Sequence, residues 1–404
     1  MKKILDLALG IATSIGGFLE AGSIITAAQA GAAFGYQLAW AILLGTLGLI
    51  VLVEASGRLA AVSQHTVTDA MRERFGFRFH MIPLVVVLLT TMLVLASEVG
   101  GVCLALQMAT GIPYRWWAIP VSLGAWVFLW RGRFVLVEQG TAVLGLVTLA
   151  FIVAAVKLHP DWGAVAHAMI PARPSHDKAR YWFLAVSILG ASISPYLYVF
   201  YSAGALEDGW DASYLSLNRT IAAGGMTFGG TLSMAVLLCG ALAFSPLGLQ
   251  VDTFEQLGLL LVNPLGRAGF VLLLLSLGIT CFGATLEIAL SGAYFLAQSF
   301  GWEWGKNQAP AQDARFSLAY SLLTFIAGAI ILAGIDPLKL TLITMSLTAA
   351  TLPVTVVPML VIMNDRRYLA GHVNGWMGNV AMVALCVLSL VLMLVAIPLQ
   401  FMGG

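Results

Sequence analysis

The chain has 404 residues, of which 60% are hydrophobic and 10% are charged, and its formal net charge is +1. Soluble domains carry about a quarter charged residues, so this composition indicates an integral membrane protein. The balanced charge excludes a basic nucleic-acid-binding surface, and four cysteines scattered singly through apolar stretches exclude a secreted disulfide scaffold.

Eleven apolar stretches account for most of the chain. A helix needs about 20 apolar residues to span the hydrocarbon core of a bilayer. In chain order the stretches are approximately 7–30, 36–56, 80–109, 116–130, 135–157, 181–204, 220–245, 268–299, 315–334, 338–363 and 376–401. Their long runs of leucine, valine and alanine do not alternate with polar residues, which excludes a membrane β-barrel. The sequence therefore predicts an all-α integral membrane protein with eleven transmembrane helices.

The placement of lysine and arginine predicts how these helices are oriented. With the N-terminus in the cytoplasm, about thirteen of them fall on the inner side and about seven on the outer side. This bias favours a cytoplasmic N-terminus and an external C-terminus, and we expect the protein to lie in a bacterial cytoplasmic (inner) membrane. The longest connections are about 158–180, 206–219 and 300–314, so we expect one transmembrane domain.

The first stretch is interrupted by a carboxylate and small residues. Its middle, residues 16–23, reads GGFLEAGS and places Glu20 halfway along the span. A transmembrane carboxylate costs roughly 2.5–3.5 kcal/mol on insertion scales, so it needs a reason. The glycines beside Glu20 and Ser23 predict an unwound segment that lines a cavity, with Gly22 at the break, because free backbone groups cannot face lipid.

The second and third stretches each carry a further carboxylate. Glu54 precedes Arg58 by one helical turn near the inner surface, so we expect an ion pair between them. Glu98 lies among small residues and has no basic neighbour in the sequence. It is either a protonated, hydrogen-bonded structural acid or a proton-relay group, and the sequence leaves both alternatives open.

The sixth stretch contains a second interruption. Residues 190–196 read GASISPY, and Gly190 and Pro195 are the predicted helix-breaking residues. Pro195 has no N–H, so the carbonyl oxygen of Ala191 loses its helical donor and is available to a ligand. The eighth stretch then carries Glu287, which nothing in the local sequence neutralises. All six histidines lie in loops or at helix ends.

Two interrupted helices five spans apart are typical of a secondary transporter built from an inverted repeat. The two repeats would occupy about 4–157 and 181–363, followed by an additional helix at about 376–401. The alternative is that both interruptions are kinks in which small residues pack at helix interfaces. Kinks do not explain Glu20, so a transport site is the preferred hypothesis.

The order and spacing of several segments carry a family resemblance. The segments are AGAAFGY at 30–36, RLA at 58–60, MRERF at 71–75, SEV at 97–99, GIP at 111–113, LP at 352–353 and NDRR at 364–367. Together they resemble the NRAMP (natural resistance-associated macrophage protein) family of proton-coupled divalent metal transporters. The resemblance covers most of the chain and implies the leucine-transporter type of fold, with a 5+5 inverted repeat and broken helices 1 and 6.

The site motifs of that family are altered in this chain. In helix 1 the family has Asp-Pro-Gly-Asn where residues 20–23 read EAGS, so Glu20 keeps a carboxylate and Ser23 replaces an amide by a hydroxyl. In helix 6 the family has Met-Pro-His where residues 194–196 read SPY. The thioether ligand and the histidine associated with proton movement are therefore absent from these positions.

The same resemblance assigns the remaining carboxylates. Glu98 matches an acidic position of the family's proton pathway, whereas Leu95 stands where the family usually has a second acid. Glu287 stands where the family commonly has a small hydroxyl residue, and we interpret it as a compensating charge.

The altered motifs leave only oxygen donors as candidate ligands. They are Glu20, Ser23, Ser194, Tyr196 and the carbonyl group of Ala191. Glu20 is the expected direct or water-mediated ligand, and Tyr196 orients a ligand or a bound water. Oxygen ligands suit Mg²⁺, Ca²⁺ or Mn²⁺ better than Fe²⁺, Cu²⁺ or Zn²⁺. We therefore expect a hard divalent cation as substrate, Mg²⁺ or Mn²⁺, with Glu98 and Glu287 as coupling or charge-balancing groups, protons as a possible coupling ion, and no cofactor.

Two other functions stay open at this point. A small organic solute such as an amino acid would occupy the broken-helix cavity if the metal site were lost, since half-helix N-termini bind carboxylates and Glu20 attracts an ammonium group. A non-transporting sensor or scaffold is the third alternative. No P-loop is present, so we expect neither an ATP-driven pump nor another enzyme, and the sequence does not indicate an oligomeric state.

Overall fold

The computed structural model describes residues 20–131, 145–251, 253–305, 308, 310 and 312–403. These residues form helices, turns and irregular connections, and no β-strand occurs among them. The transmembrane helices, numbered in the order of the predicted stretches, are α1 Ala21–Phe34, α2 Ala39–Ser63, α3 Phe77–Thr110, α4 Tyr114–Trp130, α5 Leu149–Lys157, α6a Lys178–Ser192, α6b Pro195–Glu207, α7 Leu215–Ala243, α8 Arg267–Phe300, α9 Ala314–Leu332, α10a Pro337–Thr351, α10b Pro353–Ile362 and α11 Trp376–Gly403. Shorter α-helices in the connections are Val67–Phe75, Trp162–His167, Leu259–Leu265 and Arg366–Leu369.

Each predicted stretch overlaps one of these helices, except that the sixth overlaps both α6a and α6b and the tenth overlaps both α10a and α10b. Eight of the helices in the described ranges are long and apolar enough to cross a membrane. The other three, α1, α4 and α5, are shorter, and the first and fifth predicted stretches extend into residues 7–19 and 135–144, which lie outside the described residues. The prediction of an all-α membrane protein with eleven transmembrane helices is confirmed.

The sixth helix is interrupted between α6a and α6b. Ile193 and Ser194 leave helical geometry, with φ/ψ of −114°/64° and −83°/127°, and Pro195 begins α6b. The ring of a proline clashes with the preceding residue, so that residue avoids helical φ/ψ angles. Proline itself is tolerated at the first position of a helix, because an N–H there has no partner within the helix. Gly190, predicted at this break, is instead helical within α6a, so the break begins three residues further along the chain.

The start of α1 forms the other predicted interruption. Glu20 has an extended backbone, with φ −106° and ψ 176°, and α1 begins at the next residue. Gly22, predicted at the break, lies instead in the first turn of α1, and Glu20 is the N-cap residue that precedes this helix. Residues 16–19 of the predicted break lie outside the described residues.

The tenth helix is also divided, whereas its sequence predicts one continuous span. α10b begins at Pro353, because proline removes an N–H from the helical ladder. Leu352 keeps helical dihedral angles of −50° and −41°, so the division is a kink and not an unwound segment.

Helices α1, α3 and α6 contact one another inside the bundle, and α8 and α10a each contact all three of them. Glycines allow the closest approaches: a Cβ built on Gly31 of α1 would lie 2.2 Å from the Leu237 carbonyl oxygen of α7. A Cβ on Gly240 of α7 would lie 2.6 Å from the Ala28 carbonyl oxygen. Close packing through small residues is a main source of helix association in membranes. Here it holds α1 directly against α7.

Polar contacts tie the two ends of the bundle. At one end Arg58 of α2 pairs with Glu54 at 3.1 Å, which confirms the predicted ion pair, and it donates to Oδ1 of Asn374 at 2.7 Å. At the opposite end the Gln29 side chain of α1 donates to the carbonyl oxygen of Val251 at 2.8 Å. The segments connecting the helices are thereby held against α1 and α2 on both sides.

Candidate functional site

A hydrogen bond between side chains joins the breaks of α1 and α6. The Tyr196 hydroxyl, in the first turn of α6b, donates to Oε2 of Glu20 at 2.6 Å. Both residues are buried, with exposed fractions of 2% and 0%. Two segments far apart in the sequence therefore meet at one buried carboxylate.

Glu20 keeps one oxygen without a protein donor. Its Oε1 has no hydrogen-bond partner among the described residues. Buried carboxylate oxygens are normally hydrogen-bonded, because removing them from water without compensation is costly. The arrangement is suited to a carboxylate that binds a cation or a water molecule between the broken helices.

Glu98 of α3 lies against the same break. Its Oε2 accepts the N–H of Ala21, the first residue of α1, at 3.1 Å. A carboxylate is favourable at a helix N-terminus, where N–H groups lack intrahelical acceptors and the helix dipole is positive. Glu98 is fully buried and interacts electrostatically with Glu20. The structure thus brings Glu98 to the site as an acceptor at the start of α1.

Helix α8 approaches the site from another side. Glu287 interacts electrostatically with Glu20 and Tyr196. One turn further along α8, the Ser291 hydroxyl donates to the Tyr196 carbonyl oxygen at 3.0 Å. Ser291 is a site contact that the sequence does not single out, because serine in an apolar helix carries no distinctive signal.

The other predicted oxygen donors are buried near the breaks. Ser194 is fully buried, and its hydroxyl donates to the Gly190 carbonyl oxygen at 3.1 Å, which leaves the oxygen's lone pairs as acceptors. Ser23 and Ala191 are 4% and 3% exposed. The residue four positions after Ala191 is Pro195, so the Ala191 carbonyl has no helical N–H to accept.

A methionine outside the predicted ligand set reaches the start of α1. A Cβ built on Gly22 would lie 2.6 Å from both Sδ and Cε of Met345, so this buried side chain of α10a fills the space beside Gly22. A Cβ on Gly190 would lie 1.9 Å from the Met345 carbonyl oxygen. These contacts depend on the register of α10a against α1 and α6a, which the local sequence does not predict.

The donor set at the breaks is chemically mixed. It contains carboxylates, hydroxyls, a backbone carbonyl and a thioether. In the part of the chain that the structure describes, no group of three or more His, Cys, Asp and Glu side chains is placed to hold a metal ion.

Sequence comparison identifies related proteins over nearly the whole chain. The family model described as natural resistance-associated macrophage protein-like, Nramp, matches residues 10–398. The divalent metal cation transporter MntH of Deinococcus radiodurans is 25% identical over 397 residues, covering 91% of this chain and 85% of the relative. The protein of the same name from Pectobacterium carotovorum is 24% identical, covering 93% of this chain and 90% of the relative.

Solved structures share the architecture. The manganese transporter of Eremococcus coleocola, in complex with an aromatic bis-isothiourea substituted compound, matches with a TM-score of 0.79 at 20% identity, covering 98% of this chain and 87% of that chain. Mhp1, a nucleobase-cation-symport-1 family transporter, matches with a TM-score of 0.59 at 13% identity, covering 98% and 92%. The predicted leucine-transporter type of fold, with a 5+5 inverted repeat and an eleventh helix, is confirmed by these likenesses.

Proposed function

The chain belongs to the Nramp family, whose members are transporters and not enzymes, and we propose that it is a secondary active transporter of a divalent cation. The proposed cargo is a hard cation, Mg²⁺ or Mn²⁺, which moves by alternating access at the breaks of α1 and α6. The chain needs no cofactor for this function, because the cation is its substrate.

The observation that carries this proposal is the buried carboxylate between the two breaks. Tyr196 holds one oxygen of Glu20, and the other has no donor among the residues described. A divalent cation would supply the missing interaction and offset the cost of burying the charge. The relatives named divalent metal cation transporters, and the structural neighbour named a manganese transporter, support the same class of substrate.

Each proposed ligand has a distinct role. Glu20 binds the cation directly or through water, and the Tyr196 hydroxyl holds the orientation of its carboxylate. The hydroxyls of Ser23 and Ser194 and the carbonyl of Ala191 supply further oxygen atoms. Mg²⁺ usually keeps several of its waters, so one carboxylate with neutral oxygen donors is a sufficient set for that ion.

Protons are the proposed coupling ion, in a symport with the cation. Glu20, Glu98 and Glu287 place up to three negative charges near the site, one more than a divalent cation neutralises. A proton on one of these carboxylates balances the third charge, so proton and cation occupancy are linked. Glu98 and Glu287 are therefore the proposed coupling or charge-balancing groups.

The proposed setting is the bacterial cytoplasmic membrane, with the N-terminus in the cytoplasm. The excess of lysine and arginine on the predicted inner side supports this orientation. The repeat boundaries at about 4–157 and 181–363, and the additional helix at about 376–401, stay predictions.

Uptake by the purified chain in proteoliposomes tests the proposal. Mg²⁺, Mn²⁺, Ca²⁺ and amino acids are compared with and without a pH gradient. We expect uptake of Mg²⁺ or Mn²⁺ that a pH gradient accelerates, and no uptake of amino acids. Uptake of an amino acid without any cation would replace this proposal by transport of a small organic solute.

The variant Glu20→Gln tests the proposed ligand directly. Glutamine keeps the size of the side chain but removes its charge, so we expect cation uptake to fall at least about tenfold while the protein stays folded in the membrane. Glu73→Gln is the control, because Glu73 lies on the surface helix Val67–Phe75 and pairs with His65 at 3.2 Å. Full uptake by Glu20→Gln would remove Glu20 from the transport path.

A further inference from the structure

Met345 lies between the two broken helices. Its Sδ and Cε are each 2.6 Å from a Cβ built on Gly22, two residues from Glu20. Its carbonyl oxygen would lie 1.9 Å from a Cβ on Gly190, one residue before Ala191. One residue of α10a therefore contacts both segments that carry the proposed ligands.

A further contact holds α10a at this level of the bundle. Thr341, one turn before Met345, shares a hydrogen bond of 2.6 Å with the hydroxyl of Ser97 on α3. Ser97 precedes Glu98, whose carboxylate accepts the Ala21 N–H at the start of α1. Met345 is itself fully buried, so its thioether is held inside the bundle beside the α1 break.

We propose that the Met345 thioether of α10a is a ligand of the transported cation. It would supply the sulfur donor that helix 6 lacks, because helix 6 has Ser194 in place of a methionine. The inference rests on the proposed function and narrows its substrate to Mn²⁺ or a softer cation in preference to Mg²⁺ and Ca²⁺. A thioether is a soft donor that hard cations bind poorly. The site is then not the all-oxygen set that the sequence predicts, because the sulfur comes from a helix far away in the chain.

Cd²⁺ and Ca²⁺ are the probes for this ligand, since their radii are similar while Cd²⁺ is much softer. Isothermal titration calorimetry on the purified full-length chain gives both dissociation constants for the wild type and for Met345→Leu, which nearly conserves side-chain volume. We expect the variant to bind Cd²⁺ at least about tenfold more weakly and to bind Ca²⁺ with unchanged affinity. Mn²⁺ affinity should fall as well, and Mg²⁺ affinity should not.

Met359→Leu is the matched control, because Met359 is also fully buried on the tenth helix but lies in α10b. We expect it to leave all affinities unchanged. Equal losses of Cd²⁺ and Ca²⁺ affinity in Met345→Leu, or no loss of either, would show that Met345 only fills space and would overturn the inference. If Glu20→Gln loses cation affinity and Met345→Leu does not, only the thioether ligand is overturned. If the wild type binds no cation, the proposed function is overturned as well.

A spectroscopic test needs no variant. Selenomethionine labelling replaces the sulfur of all 15 methionines, so selenium distinguishes a methionine ligand from the four cysteines. X-ray absorption at the cadmium edge of the labelled wild type should show a selenium atom at bonding distance from Cd²⁺. A shell made only of oxygen atoms would overturn the inference.

Discussion

The Tyr196 hydroxyl and the Glu20 carboxylate form a hydrogen bond of 2.6 Å inside the bundle. With an ionised carboxylate such a bond is roughly twice as strong as a neutral one and contributes about 1.5–3 kcal/mol. It turns one carboxylate oxygen towards α6b and leaves the other, which has no donor among the described residues, for the proposed cation. In the proposed function, this single pair therefore orients the carboxylate that binds the cation.

Tyr196→Phe removes the hydroxyl and leaves the ring. We expect cation uptake to decrease and the free energy of unfolding to fall by about 1.5–3 kcal/mol, because Glu20 loses this donor. Tyr198→Phe is the matched control, since the buried Tyr198 hydroxyl bonds to Thr355 Oγ1 at 2.5 Å. The control should lose some stability but keep uptake. For both variants, uptake is measured in proteoliposomes and stability by thermal unfolding in detergent. Normal uptake by Tyr196→Phe would contradict the orienting role of Tyr196.

Which site residues the sequence reveals depends on how conspicuous each residue is in its own helix. Glu20, Glu98 and Pro195 stand out, because a carboxylate or a proline within an apolar stretch is costly and needs an explanation. Met345 and Ser291 are ordinary residues of apolar helices. Only the packing of α8 and α10a against α6 brings them to the site, and that packing depends on the register between helices, which local patterns do not contain.

Gly190 shows how the broken helices use their small residues at the level of whole elements. It continues α6a instead of breaking it. Its missing side chain lets α6a approach α10a so closely that a Cβ would lie 1.9 Å from one backbone atom and 3.0 Å from another, the Ala349 nitrogen. The glycine therefore sets the distance between α6a, which carries the proposed ligand Ala191, and α10a, which carries Met345.

Gly190→Ala is expected to push α6a away from α10a and to lower the free energy of unfolding by about 1–3 kcal/mol. A backbone oxygen cannot rotate out of the way as a side chain does. Gly204→Ala is the control on α6b, because a Cβ on Gly204 meets no atom within 4 Å. Purification yield and thermal unfolding of the two variants are compared, and equal stability of both would contradict the close backbone contact.

The helices themselves were predictable, because the length of an apolar stretch is enough to identify a span. Their ends were less so: α3 runs from Phe77 to Thr110, beyond the predicted 80–109. The division of the tenth helix at Pro353 leaves no trace in hydrophobicity, since apolar residues continue on both sides of the kink.

Hydrogen bonds hold connecting segments against the helices at both ends of the bundle. At one end Arg58 donates to the His372 carbonyl oxygen at 2.7 Å and to Asn374 at 2.7 Å. At the other end Gln29 donates to the Val251 carbonyl oxygen. Glu20 is fully buried, so the proposed alternating access would require these two sets of contacts to open in turn.

Arg58→Ala is expected to open its end of the bundle more often. Cys281 can report this opening, because it is fully buried and an alkylating reagent reaches it only when the bundle opens. It also lies close to the candidate site: its Sγ would be 2.7 Å from a Cβ built on Gly101, three residues after Glu98. In a chain whose other three cysteines are serine, we expect Cys281 to be alkylated several-fold faster in the variant. Arg267→Ala, at the exposed start of α8, is the control, and equal rates in both variants would contradict the closing role of Arg58.

The hydrogen bond from the Ala21 N–H to Glu98 couples the position of α1 to the protonation state of Glu98 on α3. An ionised carboxylate accepts an N–H more strongly than a neutral acid does. Carrying Ala21 away from α3 is therefore easier once Glu98 holds a proton, and by linkage the same motion changes the proton affinity of Glu98. In the proposed symport, a proton and the start of α1 would therefore compete for one carboxyl group, and proton binding would be linked to helix movement without contact between the proton and the cation.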